Sequence, residues 1–291
     1  GSSWVGGAAL RVALIPRRGR FRGFILLTVL WMSLGLLLAA SSYLATQRQT
    51  ALSTRAEVET SRAVELARSA LNVALADLGR VGDDVPRSPR DGTPIAISMA
   101  EGQAIYRIWD EGGKLDVNHA PVQMIGPALQ SLGDGQGIDA FDAVTIAQVI
   151  VSQRQDANAL GDFPSIAIML SQLGFPQEAS LQARRMLTTY SGTAQINPRT
   201  ASADLLRAVP GVGPSDVSRI IDSRSAGQPL PQLGTAGIWL GGTEGPVYTI
   251  EAEGILASGV RVEIVATVAE RGISFRRGRT RFDVLGLEIL R

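Results

Sequence analysis

The first pattern in the sequence is an uncharged apolar stretch that runs from Phe24 to Leu44. As a helix, its 21 residues would extend about 32 Å, close to the roughly 30 Å hydrocarbon core of a bilayer. Beyond this stretch, leucine and alanine recur every three or four residues as far as Leu78. This spacing places one apolar stripe on a helix. We therefore predict a single helix over residues 24–78 that ends at Gly79.

Charged residues flank the apolar stretch on one side. Residues 1–44 contain five arginines and no acid, leaving 23 of the 28 basic residues to oppose all 27 acidic residues. Basic residues before a spanning helix mark the cytoplasmic side, which predicts a cytoplasmic N-terminus and a body across the membrane. The alternative is a secretory signal peptide cleaved near Ala39 and Ser41. The apolar stripe that continues past Tyr43 favours a retained helix.

The rest of the chain mixes strand and helix patterns. Four segments alternate apolar and polar residues as strands do, namely Gln103–Trp109, Val247–Ile255, Val260–Val268 and Arg281–Leu290. Residues 116–243 instead show helical periods separated by glycine and proline. A long helix packed on a small antiparallel sheet is an α+β arrangement. We interpret residues 116–243 as an all-α domain inserted into that sheet.

The helical region contains a weak internal repeat. Each copy has an apolar residue followed by asparagine (Asn118 or Asn197), then a helix, a glycine turn, a second helix and an arginine (Arg154 or Arg224). We expect the asparagines to cap the helices that follow them. In the second copy, residues 205–224 resemble a helix-hairpin-helix, whose glycine turn offers backbone N–H groups to a phosphate in nucleic-acid binders. Its arginines are matched by aspartates, so a structural hairpin is preferred to DNA binding.

The composition removes most catalytic chemistry. The sequence has no cysteine and one histidine, His119, which excludes thiol nucleophiles, disulfides and sites with several His or Cys ligands. Its one lysine, Lys114, lies outside any GxxxxGK[ST] sequence. We therefore expect neither an enzyme nor a small-molecule substrate, and no resident cofactor.

Three carboxylates lie close together in the glycine-rich segment 133–142, namely Asp134, Asp139 and Asp142. Calcium takes oxygen ligands from such loops, although this spacing does not match an EF-hand. These residues are therefore weak candidates for a calcium site. The alternative is a solvated loop in which Asp139 or Asp142 caps a helix.

The start of the chain resembles the precursors of type IV pilins and pseudopilins. The basic leader, Gly23, the aromatic Phe24 and the uncharged helix behind them carry the resemblance. It implies that a prepilin peptidase cleaves after Gly23 and that the new N-terminal Phe24 is methylated. Most members have glutamate at the fifth mature position, where this chain has Thr28. Thr28 leaves two interpretations, a chain outside this class or a subunit at the filament apex, which has no neighbour on that side.

The body resembles the general secretion pathway protein K family, the large minor pseudopilins of type II secretion. Residues 110–118 (DEGGKLDVN), residues 196–201 (INPRTA) and the hairpin ending at Arg224 carry this resemblance. It implies a pseudopilin fold interrupted by a helical domain and an inner-membrane anchor with a periplasmic body. It also implies a place at the pseudopilus tip with the minor pseudopilins I and J and other pseudopilins. Relatives often bind calcium through an acidic stretch where this chain has residues 152–156 (SQRQD), which argues against calcium here.

These inferences give five segments: a basic leader (1–23), a transmembrane helix (24–44), the first part of a pseudopilin head (45–115), an inserted α-helical domain (116–243) and the C-terminal strands of the head (244–291). The implied function is to initiate and cap the pseudopilus for export of folded proteins across the outer membrane. The alternative is a membrane-tethered, competence-type DNA-binding protein that uses the hairpin at residues 205–224.

Overall fold

The computed structural model describes residues 21–80, 87–133, 140–155, 161–175, 177–274 and 279–290. The α-helices are α1 (Phe21–Leu78), α2 (Val122–Gly133), α3 (Ala140–Gln155), α4 (Ile166–Gln172), α5 (Gln177–Met186), α6 (Ala203–Ala208) and α7 (Pro214–Ser225). The strands are β1 (Ile95–Met99), β2 (Gly102–Asp110), β3 (Leu115–Asp116), β4 (Leu187–Thr188), β5 (Val247–Leu256), β6 (Arg261–Ser274) and β7 (Arg279–Leu290). The chain divides into two compact units, residues 1–58 and 59–291, and the division falls within α1.

Helix α1 is continuous over 58 residues and begins three residues before the start that the sequence pattern predicts. No proline interrupts it, and its C-terminal part is rich in alanine, the best helix former. The Gly79 N–H donates to the Leu75 carbonyl at 3.0 Å, after which the helix stops. The predicted end of this helix is therefore confirmed.

Five strands form one antiparallel sheet in the order β1-β2-β5-β6-β7. The four strands predicted from alternation are confirmed as β2, β5, β6 and β7. Strand β1 was not predicted, because its five residues give too short an alternation to stand out. It pairs with β2 at one edge of the sheet.

The last third of α1 packs on one face of this sheet. Four alanines along this face, Ala63, Ala67, Ala70 and Ala74, are fully buried. Because alanine has a minimal side chain, the helix axis lies close to the strands. At the closest point a Cβ on Gly254 of β5 would lie 2.2 Å from the Ala63 carbonyl oxygen. The helix–sheet core therefore depends on small residues on both elements.

Helices α2 to α7 all lie between β2 and β5 along the chain. They surround a second core, which includes Ile125, Leu129, Leu170 and Leu205. The expectation that residues 116–243 are wholly helical is wrong in one detail, because β3 and β4 pair in parallel at Leu115–Leu187 and Asp116–Thr188. The β-branched Thr188 and Thr189 that follow α5 favour this extended backbone.

Candidate functional site

The N-terminal part of α1 leaves large apolar side chains uncovered. Leu26, Leu30, Trp31 and Leu36 are each at least 66% exposed. The helical stretch Leu26–Leu78 contains an 18-residue window with a mean hydropathy of 1.7, none of it buried, which is long and apolar enough to cross a membrane. A water-soluble domain seldom exposes so much contiguous apolar surface, so this segment needs a covering environment.

Three serine hydroxyls in this apolar segment are hydrogen-bonded within the helix. The Ser33 hydroxyl donates to the Val29 carbonyl at 2.7 Å. The Ser41 and Ser42 hydroxyls donate to carbonyls three residues earlier, each at 2.9 Å. Because an unsatisfied polar group is costly in hydrocarbon, these bonds make the segment compatible with a bilayer.

The predicted processing residues lie at the beginning of the same helix. The backbone at Gly23 and Phe24 is helical, and their side chains lie outside the described part of the structure. Thr28 is exposed on the apolar segment. The structure places these three residues within six positions of one helix. Cleavage and methylation stay predictions.

The end of β2 begins a buried polar junction between the sheet and the helical region. Asp110 is 2% exposed. One of its carboxylate oxygens accepts from the Gly112 and Gly245 amides, both at 3.0 Å. The other accepts from Asn197 Nδ2 at 3.1 Å and from the Thr200 hydroxyl at 2.7 Å. Asp110 thus ties the start of the helical region to its end and to its second repeat.

The next residue, Glu111, forms a buried ion pair with Lys114. The Lys114 Nζ lies 2.5 Å from Glu111 Oε1, and the two side chains are 4% and 3% exposed. The hydroxyls of Thr188 and Thr249 also donate to Glu111. The carboxylate is therefore surrounded by donors from the helical region and from β5, which holds the two parts together.

Asp116 organises the first repeat. It is fully buried and accepts from the Asn118 amide at 2.9 Å and the Gly192 amide at 2.8 Å. His119 Nδ1 lies 3.3 Å from the same carboxylate, so this histidine is a structural partner. The Asn118 side chain is bonded twice to the backbone of Phe163, at 2.8 and 3.0 Å. It does not cap α2, and that expectation is wrong.

The second asparagine does not cap a helix either. Asn197 Oδ1 accepts from the Arg199 amide at 3.1 Å, which closes a local turn. The N-cap of α6 is Ser202, whose hydroxyl accepts from the Leu205 amide at 3.2 Å. The asparagines fix the loops that enter each repeat, and a serine performs the capping.

The two repeat arginines have equivalent contacts. Arg154, at the end of α3, donates to the Val117 and Ala120 carbonyls at 2.7 and 2.6 Å. Arg224, at the end of α7, donates to the Ala201 carbonyl at 2.6 Å. Each guanidinium thus bonds the backbone just before the first helix of its own repeat. Burial lowers the pKa of Arg154, and the charge of Asp116 opposes that change.

The hairpin between α6 and α7 is already occupied by an internal carboxylate. Gly211 has a φ of +84°, which permits the tight turn. The Gly213 amide donates to Asp216 Oδ2 at 2.9 Å, and Arg219 pairs with the same carboxylate. The Gly213 bond, followed by Arg219, lowers the pKa of Asp216. In a nucleic-acid-binding hairpin, a phosphate would accept a hydrogen bond from such a backbone amide. Here the Gly213 amide already donates to the Asp216 carboxylate, so this geometry does not favour DNA binding.

The calcium candidates fall mostly outside the described residues, because Asp134 and Asp139 are not among them. Asp142 is exposed in the first turn of α3. No group of three or more His, Cys, Asp or Glu side chains that could hold a metal occurs within the described part of the chain.

A cavity of about 120 Å³ lies beside Glu111 and Tyr190. It has room for a few water molecules, at ~30 Å³ each.

Glutamates and arginines lie together on the sheet face opposite α1. Glu251 of β5 accepts from Arg185 Nε and Nη2 at 3.2 and 3.1 Å. Glu253, the next residue on the same face, pairs with Arg261 at 2.9 Å and lies directly opposite Glu263 of β6. Burial first, and then the charges of Glu251 and Glu253, raise the pKa of Glu263, while Arg185 and Arg107 act in the opposite direction.

We expect the Glu263→Gln variant to be more stable than the parent chain at pH 7. Glu263 binds its proton more tightly when folded than when unfolded, so stability falls as pH rises from the unfolded pKa through the folded pKa. Above that window the penalty of the half-buried charge is fully present, and glutamine removes it. Thermal unfolding at pH 7 and pH 4 measures the effect, which should shrink at the lower pH. The control is Glu101→Gln, at an exposed turn position, and equal shifts in both variants would contradict the expectation.

Sequence reasoning missed the part that Asp110, Glu111 and Asp116 play in joining the two parts of the chain. The available signal was three acids and a lone lysine within seven residues directly after a strand. Buried charges need partners, so such a cluster at a strand end indicates a polar junction. The partners themselves lie up to 138 positions away and could not be identified from spacing.

No protein-family model and no curated protein matches the chain. A chain in the crystal structure of the GspK-GspI-GspJ complex, from the type 2 secretion system of enterotoxigenic Escherichia coli, is similar to it. The identity is 16%, the match covers 84% of this chain and 99% of that chain, and the TM-score is 0.44. A similarity at this level does not by itself assign a function.

Proposed function

We propose that this chain is a minor pseudopilin of a type II secretion system, an assembly subunit and not an enzyme. Helix α1 anchors it in the inner membrane, with the N-terminus cytoplasmic and the body periplasmic. The body initiates and caps the pseudopilus together with the minor pseudopilins I and J. Prepilin peptidase removes the leader after Gly23, and Phe24 becomes the methylated N-terminus.

One observation carries the proposal. A single unbroken helix combines an exposed, uncharged apolar segment with a segment whose alanine face is buried on an antiparallel sheet. A secretory signal peptide needs no such continuation. A retained pseudopilin helix needs both parts, because one lies in lipid or in the filament core and the other carries the head.

The helical region supports a place at the apex. It adds the 128 residues from 116 to 243 between two neighbouring strands. So large a lateral addition is difficult to repeat along a narrow shaft, whereas one copy fits at an end. Thr28 is compatible with this place, since a carboxylate in the bilayer costs ~2.5–3.5 kcal/mol and persists only with a partner. A terminal subunit lacks the neighbour that would supply that partner.

The test of the anchor is mass spectrometry of the N-terminus after extraction of the full chain from membranes. We expect a chain that begins at methylated Phe24. A chain that begins near Ser42 would show that a signal peptidase had cut, and the proposal would then fail. Expression in cells that lack prepilin peptidase is the control, and there the leader should remain.

The test of the tip function is removal of residues 116–243. Asp110 and Tyr248 lie opposite each other across β2 and β5, so residues 111–115 and 244–247 can form the loop that rejoins the strands. We expect membrane insertion to persist while pseudopili become fewer or change in length and export falls. The control replaces the exposed Asp204–Arg207 pair with Asn and Gln. Unaltered pseudopili and export in the deletion variant would contradict a role at the tip.

DNA binding is the rival function, and a salt-dependent gel shift distinguishes it. Non-specific DNA affinity comes mainly from neutralised phosphates, whereas Arg207 and Arg219 on this hairpin are paired with Asp204 and Asp216. We expect no shift at roughly physiological salt. Tight binding that weakens steeply as salt rises would favour the rival.

A further inference from the structure

Strand β7 is the outermost strand of the sheet and is long for an edge strand. It has 12 residues, compared with five in β1 at the opposite edge. Natural edges are commonly shortened or carry proline or inward-pointing charges, which block pairing with another chain. Strand β7 contains no proline, and its pairing with β6 has two irregularities, which leave Leu285 of β7 and Arg271 of β6 unpaired. The Thr280 amide at its start donates to the Gly79 carbonyl at 3.3 Å, whereas no backbone partner outside β6 is seen for residues 284–290 among the described residues, so this part can accept a further strand.

The apolar face under α1 continues onto β7, where large apolar side chains are exposed. Val284, Leu287 and Ile289 lie opposite Val268, Ala266 and Ile264 of β6. The three β6 residues belong to the buried core with α1. The three β7 residues are 61%, 58% and 44% exposed, and Leu285 is 48% exposed. We call Val284, Leu285, Leu287 and Ile289 the β7 strip.

The charged residues beside the strip favour a partner that carries an acidic residue. Asp283 pairs with Arg271 at 2.5 Å, and Glu288 pairs with Arg184 at 2.6 Å. Both carboxylates of this edge are thus neutralised within the chain. Arg281 is exposed and has no ionic partner among the described residues. A segment that carries a carboxylate near Arg281 would complement this edge.

We propose that the β7 strip binds an extended segment of a neighbouring single-pass subunit of the same assembly. The segment adds a sixth strand, with apolar residues toward the strip and an acidic residue near Arg281. This proposal rests on the proposed function, which supplies the neighbour. It goes beyond that function by naming the surface and the mode of contact.

The size of the surface indicates why the partner must be held in the membrane. The β7 strip is four side chains on one strand, and even the largest apolar patch of a typical monomer covers only about 300–600 Å², less than the ~800 Å² per partner of a stable independent interface. Two freely diffusing copies would not form a lasting dimer on this area. A neighbour confined by its own membrane helix has a high effective concentration, so a weak contact suffices.

Cysteine cross-linking tests the proposal, because the chain has no native cysteine. The probe is the full chain with Leu287→Cys in cells that assemble the secretion system, treated with a thiol-to-amine cross-linker. The control is Ser98→Cys on the other edge strand, where the residue is also exposed. We expect position 287 to cross-link to one other single-pass subunit at least about fivefold more than position 98. The linked peptide should belong to an extended, acidic segment.

Two further variants separate docking from folding. We expect Leu287→Lys to reduce secretion about fivefold, since a charge on an edge strand prevents pairing. Its thermal unfolding midpoint should stay near that of the parent, because this side chain is 58% exposed. Added to the Leu287→Cys probe, Arg281→Glu should reduce cross-linking from position 287, and Arg281→Lys should preserve it.

Three results would overturn the proposal: cross-links to a second copy of this chain, equal cross-linking from positions 287 and 98, or normal secretion by the Leu287→Lys variant. These results leave the proposed function intact if the N-terminus is methylated Phe24. The proposed function fails separately if the chain begins near Ser42.

Discussion

Replacement of Gly254 by alanine is expected to lower the stability of the head by about 3 kcal/mol, at the upper end of what overpacking usually costs. The added Cβ would lie 2.2 Å from the Ala63 carbonyl oxygen and 2.7 Å from the Ala67 amide. Both contacts are with backbone, which cannot rotate away as a side chain can. The helix must therefore move off β5, and the apolar contacts of α1 with Ile250 and Ile264 loosen with it.

Urea unfolding of the detergent-solubilised full chain, followed by tryptophan fluorescence, measures this change. Gly286→Ala on β7 is the matched control, since a Cβ there meets nothing within 4 Å. Alanine loses less conformational freedom than glycine on folding, so the control should gain about 0.5 kcal/mol. Equal midpoints for the two variants would show that α1 does not pack against β5 as described.

Loss of either partner of the Glu111–Lys114 pair is expected to cost about 3–5 kcal/mol, because one charge is left buried without compensation. Lys114→Met leaves the Glu111 carboxylate with hydroxyl donors from Thr188 and Thr249 but no cation. Glu111→Gln leaves a buried ammonium beside a neutral amide. The double variant removes both charges, so it should be less destabilised than the sum of the single variants.

The exposed Glu65–Arg68 pair on α1 is the matched control. It has the same spacing of three residues, and its side chains are 65% and 57% exposed. Solvent screens such pairs, so we expect its removal to cost less than ~0.5 kcal/mol. The same unfolding measurement gives a double-mutant cycle for each pair. A coupling at Glu111–Lys114 no larger than that at the control would contradict a structural role for the junction.

Long elements with a regular apolar period could be predicted from the sequence. Short strands, and pairings between distant parts of the chain, could not. Helix α1 repeats its apolar spacing over many turns, and β2, β5, β6 and β7 alternate over nine or more residues. Strand β1 and the β3–β4 pair have five and two residues in each strand, too few for a period. The parallel pairing also joins positions 72 residues apart, which local pattern cannot detect.

The predictions for individual residues also had different outcomes. The repeat predicted that Arg154 and Arg224 are equivalent, and their carbonyl contacts confirm this. The role given to Asn118 was wrong, because its side chain bonds to Phe163, 45 positions away, in preference to its own helix. The roles predicted for Gly23 and Phe24 concern processing by a peptidase, which no contact within the chain can test.

The pairing of Asp110 with Tyr248 has a mechanical consequence. The chain leaves the sheet after Asp110 and returns to it by Tyr248, the residue that pairs with Asp110. The helical region between these two positions is therefore a side branch of the sheet. A force along β2 or β5 passes from one strand to the other through the backbone hydrogen bonds at this pair. Load carried by the sheet therefore has a direct path that does not include the helical region.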